Sequence, residues 1–213
     1  MEHASTHAVT TETEGGWTLD MRKLGIWIFL SSENMLFIAL IGAFLVNLGR
    51  AETGPFPGNG HFSLNLPLTA FNTFVLLTSS FSMVKAYDSI IHNNQARFRM
   101  WLLTTIVFGA FFLSVQGVEY YKLAVEEGLT PTVNQFGTTF YILTGIHGAH
   151  VLVGVLWLIG VLLFSYGDRF NAENAVPVDM AALYWHFVDL VWVFIFMFVY
   201  LVPPILHPNV VHP

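Results

Sequence analysis

Seven side chains in this sequence combine chemistry with an apolar setting: Glu33, Asn72, Glu119, His147, His150, His186 and Asp189. Carboxyl and imidazole groups can move protons or ligate metals, and an ionisable group at membrane depth costs roughly 2.5–3.5 kcal/mol on insertion scales. Glu33 lies in FLSSENMLFIAL, about nine residues into an apolar run, or ~14 Å along a helix and close to the middle of a bilayer. There it must face protein or water, either as a proton-accepting site or as a structural hydrogen bond between helices.

His147 and His150, in ILTGIHGAHVLVG, are three residues apart and share one helix face. Gly145, Gly148, Ala149 and Gly154 around them let another helix backbone come close. His186 and Asp189, in YWHFVDLVW, repeat that spacing, which puts Asp189 in reach to orient the His186 ring. Adjacent helices run in opposite directions, so His150, His186 and Glu33 can meet at one depth. Three imidazoles are enough to ligate haem or copper. The small residues crowding His147 and His150 favour imidazoles satisfied by carboxylates and backbone carbonyls instead.

Glu119, in VQGVEYYKL, stands three residues before Lys122 near a helix end, and the spacing predicts an exposed ion pair worth a few tenths of a kcal/mol. Asn72 belongs to a polar set with Thr73, Thr78, Ser79, Ser80 and Ser82. Hydroxyls can bond back to the preceding helical turn, so Asn72 is the member that needs a partner on another helix.

The rest of the composition narrows the chemistry. The chain has 213 residues, 54% hydrophobic and 10% charged, with a mean hydropathy of +0.61. A soluble domain carries about 25% charged residues, so these values describe an integral membrane protein. There is no cysteine, which excludes disulfides, Fe–S clusters, covalently attached haem, thiolate-bridged copper and Cys-based zinc sites. A net charge of −6 gives no support for a nucleic-acid partner, which calls for a basic patch. No phosphate-binding loop or activated nucleophile is recognisable.

The elements that carry these residues are five apolar segments, at about 24–48, 67–86, 100–117, 138–165 and 180–206. Each is near or above the ~20 residues that span a bilayer, and backbone in lipid is satisfied within one segment only as a helix. The fold expected is all-α, a polytopic bundle of five transmembrane helices. Residues 1–22 read as a polar tail without signal-peptide character, and 23–213 as one membrane domain. The breaks are the Gly- and Pro-rich Gly49–Leu66, then Tyr87–Arg99, Val118–Gly137 and Gly167–Asp179. Arg22, Lys23, Lys85, Arg97, Arg99 and Arg169 fall on the side of the N-terminus, and Arg50 and Lys122 on the other. That bias predicts a cytoplasmic N-terminus and an external C-terminus. Trp101, Tyr120, Tyr121, Tyr166, Tyr184 and Trp185 read as interfacial anchors.

Taken in order, these segments resemble subunit III of the haem–copper terminal oxidases. GIWIFLSSENMLFIALIGAF resembles the family's helix with a Ser-Glu pair, and LPLTAFNTFVLLTSSFSM its Pro-start segment. VQGVEYYKL resembles its Gln-x-x-Glu-Tyr stretch, FGTTFYILTGIHGAHVLVGVLWL its Thr-Gly-x-His-Gly-x-His helix, and YWHFVDLVWVFIFMFVYL its final helix. The likeness covers about residues 20–203. It implies an accessory, non-catalytic subunit of a proton-pumping cytochrome c oxidase in the bacterial cytoplasmic membrane. Such a subunit holds no redox centre or metal, flanks catalytic subunit I together with subunit II, and supports proton uptake and stability. Haem and copper are then expected in partner subunits.

Within the resemblance, Glu33 matches the family's buried, carbodiimide-reactive glutamate. Glu119, His147, His150, His186 and Asp189 match its other characteristic polar positions. Many members have seven helices and hold phospholipid in a cleft walled by the first two; this sequence has the short five-helix form, so no lipid-binding residue is assigned. Related alternatives are subunit III of a quinol oxidase or the homologue associated with nitric oxide reductase. More distant ones are a haem-binding electron carrier using His147, His150 and His186, and an ion transporter built on Glu33.

Overall fold

The computed structural model describes residues 21–47, 65–126, 128–167 and 170–202. Within them the chain forms α1 (Met21–Asn47), α2 (Leu66–Ile91), α3 (Gln95–Val125), α4 (Gln135–Ser165) and α5 (Val176–Ile195). A short 3₁₀ turn at Ala172–Asn174 leads into α5, and a π-helical turn at Phe196–Leu201 continues it. The described residues contain no strand, and five helices are long and apolar enough to cross a membrane. Most of the polar tail, the 48–64 segment with Arg50, Arg169 and the expected end of the last helix from 203 to 206 lie outside the described residues.

The helices run past the apolar segments that announce them. α2 continues to Ile91 instead of stopping at Ala86, and α3 spans Gln95–Val125 instead of 100–117. At 1.5 Å per residue a 31-residue helix is about 46 Å long, well beyond ~30 Å of hydrocarbon. Where α3 and α4 begin ahead of the apolar run, at Gln95 and Gln135, the early turn is started by a side-chain cap rather than by hydropathy. Asn65, Asn94 and Asn134 accept the backbone N–H groups of Leu68, Arg97 and Gly137, satisfying donors that a helix start leaves free. The whole α2–α3 connection is His92–Asn94, with Asn93 in the left-handed region at φ 54°.

Successive helices α2 to α5 pack as antiparallel neighbours. α5 also lies against α2 and α1, and α1 is seated on α4 and α5 instead of mainly on α2, its neighbour in sequence. One end of the bundle is laced by polar contacts. Lys23 Nζ meets Asp179 Oδ2 at 2.5 Å, Arg99 Nη2 donates to Ser165 O at 2.6 Å, and Gln95 donates to Phe170 O. Ala172 N donates to Asn93 Oδ1 at 2.9 Å.

Lipid tails are as apolar as leucine, so helices gain little from burying apolar area against each other and rely on close packing and hydrogen bonds. Trp185 supplies the tightest packing. It is fully buried, and a Cβ added at Gly109 of α3 would lie 2.5 Å from its ring, while one at Gly154 of α4 would lie 3.0 Å away. Two glycines on different helices thus leave the room that this indole fills. Trp185 and Tyr184 are therefore core residues and not interfacial anchors, being 0% and 3% exposed. Tyr120 is also half-buried and bonded within the bundle, whereas Tyr121 and Tyr166 are exposed, the latter under the Arg99 guanidinium at 4.8 Å.

Candidate functional site

Glu33 is the thirteenth of 27 residues in α1, and His150 the sixteenth of 31 in α4, so both stand at mid-helix. His150 Nε2 lies 3.1 Å from Glu33 Oε2, and its Nδ1 lies 2.8 Å from Ile146 O. A carbonyl oxygen only accepts, so Nδ1 carries a hydrogen. The Nε2–Oε2 contact then needs one further hydrogen, held by either atom, and the pair has no net charge in either arrangement. Phe37 packs edge-on against the imidazole with ring centres 5.2 Å apart, and Tyr184 OH donates to His150 O at 3.0 Å.

His147, three residues earlier, is fully buried and serves a different helix. Its Nε2 is 3.2 Å from Val188 O of α5, so Nε2–H is the donor and Nδ1 is left without a hydrogen-bond partner. Trp192 lies against the ring at 4.8 Å, with Phe112 edge-on at 5.9 Å. The small residues nearby do not admit a helix backbone, as the spacing suggested, but side chains. Gly148 faces Gln116 of α3, and Gly154 faces Trp185 and Tyr184 of α5.

The expected His186–Asp189 pair is not formed. His186 Nδ1 meets Ser80 Oγ of α2 at 2.6 Å, and Asp189, 3% exposed, has no hydrogen-bond partner on either oxygen. Residues three apart on a helix share a face, but here α2 packs on that face and offers the nearer hydroxyl. The same stripe of α2 hydroxyls receives both buried indoles. Trp185 Nε1 donates to Ser79 Oγ at 3.0 Å, and Trp192 Nε1 to Thr73 Oγ1 at 2.9 Å. Ser79 and Thr73 also bond back to Leu76 O and Thr69 O, so each hydroxyl satisfies its own helix and clasps α5.

Glu119 does not pair with Lys122. It is buried, and its Oε1 accepts from Thr69 Oγ1 and Tyr200 OH, both at 3.1 Å, while Lys122 is exposed. Tyr200 lies on the π-helical turn, where Val202 N–H reaches back to Met197 O. Such wide turns redirect a helix face, and this one delivers a phenol to the carboxyl of α3. Asn72 Nδ2 donates to Phe112 O at 3.3 Å across the α2–α3 contact. Gln116 Nε2 donates to Thr144 O at 3.0 Å, and Tyr120 OH meets Thr144 Oγ1 at 2.6 Å.

The three mid-membrane imidazoles are thus engaged by three different groups: a carboxyl on α1, a carbonyl on α5 and a hydroxyl on α2. Among the described residues no group of three His, Asp or Glu has the geometry to hold a metal ion. Sequence reasoning missed Ser80, Tyr184, Trp185, Trp192 and Tyr200 as members of this layer. The α2 hydroxyls were visible as a polar run, but back-bonding alone accounted for them, and nothing in the sequence tells which indole will reach them.

Comparison with known proteins agrees with this architecture. The family model described as cytochrome c oxidase subunit III matches residues 7–203. Cytochrome c oxidase subunit 3 of Bacillus subtilis (strain 168) is 38% identical over 178 residues, covering 84% of each chain. Cytochrome c oxidase subunit 3 of Synechocystis sp. is 38% identical over 183 residues, 85% of this chain and 76% of its own. The protein named "Probable quinol oxidase subunit 3" of Staphylococcus haemolyticus is 36% identical over 205 residues, 95% of this chain and 97% of its own. Five membrane-crossing helices joined by buried carboxyl, imidazole and hydroxyl contacts therefore form a multi-pass membrane protein that belongs to the cytochrome c oxidase subunit III family, the third subunit of haem–copper oxidases.

Proposed function

We propose that the chain is an accessory, non-catalytic subunit of a proton-pumping oxidase whose electron donor is cytochrome c. It sits in the bacterial cytoplasmic membrane beside catalytic subunit I, with subunit II in the same complex. It supports proton uptake and the stability of the catalytic subunit and binds no haem or copper itself. The observation that carries this reading is the separate engagement of His147, His150 and His186, each by a different helix or group. A copper ion held by all three imidazoles would require them to converge, and they are turned instead to α5, α1 and α2. Membrane phospholipid covers the exposed apolar flanks, and no residue is assigned to it. The cluster of Arg22, Lys23, Arg97 and Arg99 at helix starts favours a cytoplasmic N-terminus.

The test is mild detergent purification through a tag on this chain. Recovery of a large subunit with haem and copper, oxidising reduced cytochrome c, supports the proposal; turnover with quinol alone transfers it to a quinol oxidase. A Soret band in this chain separated from its partners overturns the non-catalytic reading. Complexes stripped of the chain should lose activity during sustained turnover, and unchanged endurance would remove the supportive role.

A further inference from the structure

Asp189 has no part in the helix contacts described above. It is 3% exposed, fourteenth of the 26 residues from Val176 to Leu201, and neither carboxyl oxygen has a hydrogen-bond partner. An ionised carboxylate so placed is strongly disfavoured, since a buried charge needs a partner. From α2 the Ser80 hydroxyl neighbours the carboxyl, on the helix face that Asp189 shares with His186. That same hydroxyl contacts His186 Nδ1 at 2.6 Å.

His186 in turn lines a groove of about 350 Å³ between α1 and α5, together with Trp27, Leu30, Ser31, Asn34 and Phe187. Its Nε2 has no hydrogen-bond partner among the described residues and is not among the buried unpartnered atoms, so it is accessible from the groove. Ser31 and Asn34 are exposed there and give water polar contacts at mid-helix depth. One turn to either side of Asp189 the indoles of Trp185 and Trp192 direct their N–H groups to Ser79 and Thr73 and so carry no path onward from the carboxyl.

We propose that Asp189 holds a proton and exchanges it with water in the α1–α5 groove through Ser80 and His186, making a dead-end proton store in the bundle core. In the outward step the Asp189 O–H bond breaks as its proton passes to Ser80 Oγ. The Ser80 hydroxyl proton passes to His186 Nδ1, and the Nε2 proton leaves to a groove water. Asp189 is then a carboxylate, Ser80 is again a hydroxyl and His186 is neutral with its hydrogen on Nδ1. The inward step reverses every bond, so no oxidant, reductant or net consumption of any group is involved.

The experiment is infrared spectroscopy of the purified oxidase complex transferred from H₂O to D₂O. A carboxylic C=O band absent from Asp189→Asn identifies the stored proton, and its downshift times the exchange. Ser80→Ala and His186→Phe should keep the band and slow that downshift by about tenfold or more, the loss expected for a removed hydrogen-bonded step. Glu33→Gln, at a residue bonded to His150 of α4 and outside the groove lining, should leave the rate unchanged. If Asp189→Asn does not assemble, oxidase carrying ¹³C-labelled aspartate identifies the band in the Ser80→Ala background. Absence of an aspartic-acid band, or equal exchange rates in all variants, overturns the proposal.

Discussion

His150 Nε2 stands 3.1 Å from Glu33 Oε2, a contact that ties α4 to α1 across 117 residues of sequence. It is the hydrogen bond that fastens α1 to α4 at mid-membrane, while Lys23 ties the start of α1 to Asp179 of α5. Replacing one member by leucine leaves the other without its partner. Glu33→Leu and His150→Leu should each destabilise the complex by about 1–3 kcal/mol. The double substitution should cost less than the sum, with a coupling of about 0.6–1.7 kcal/mol, the range for interhelical hydrogen bonds in membranes. A double-mutant cycle on thermal or denaturant dissociation measures it, and strict additivity would refute the pair's role.

The indole of Trp185 makes two glycines unequal to a third. Gly109→Ala puts a methyl group 2.5 Å from Trp185 Cη2 and should cost about 1–3 kcal/mol through overpacking. Gly42→Ala meets nothing within 4 Å and should be neutral, or stabilising by about 0.4–1 kcal/mol. Combining Gly109→Ala with Trp185→Phe should recover part of the loss. Melting temperatures of the three variants check the order.

Glu119 depends on hydroxyl donors and not on its basic neighbour. Thr69→Val and Tyr200→Phe each remove one of its two donors and should cost about 1–3 kcal/mol. Lys122→Met should stay within about 0.5 kcal/mol of the parent. A larger loss for Lys122→Met than for Tyr200→Phe would restore the ion pair that the spacing suggests.

Asn93 answers two demands at the α2–α3 turn: a positive φ and an acceptor for Ala172 N–H. Asn93→Ala meets neither, and the left-handed backbone alone costs roughly 1–2 kcal/mol. Asn93→Gly relieves the backbone but gives up the acceptor, so its stability should fall between asparagine and alanine. Limited proteolysis of the turn, read beside thermal stability, separates the two effects.

The number of helices and the depth of Glu33 are written in the sequence because apolar length and position along a helix are local quantities. The same arithmetic places His150 level with Glu33. Partner choice is not local. Asp189 and His186 share a face by spacing, but that face is covered by α2, and Ser80 takes the imidazole. Glu119 and Lys122 sit within reach on one helix, but burial by α2 and the π-helical turn substitutes Thr69 and Tyr200. Tyr184 and Trp185 resemble anchors by composition, and only the facing glycines reveal their place in the interior. Hydropathy misplaces the starts of α3 and α4 for a related reason, since Asn94 and Asn134 cap these helices ahead of their apolar runs.

The seating of α1 on α4 and α5 has a consequence for biosynthesis. A ribosome delivers α1 ahead of α2 to α5, but the surfaces that receive it, on α4 and α5, emerge only after α2 and α3. A nascent first span must therefore linger in the bilayer, or beside the insertion machinery, until the fifth has entered. A chain cut short before α5 would leave that span short of one receiving surface, and the fold in this way checks that α5 has been made.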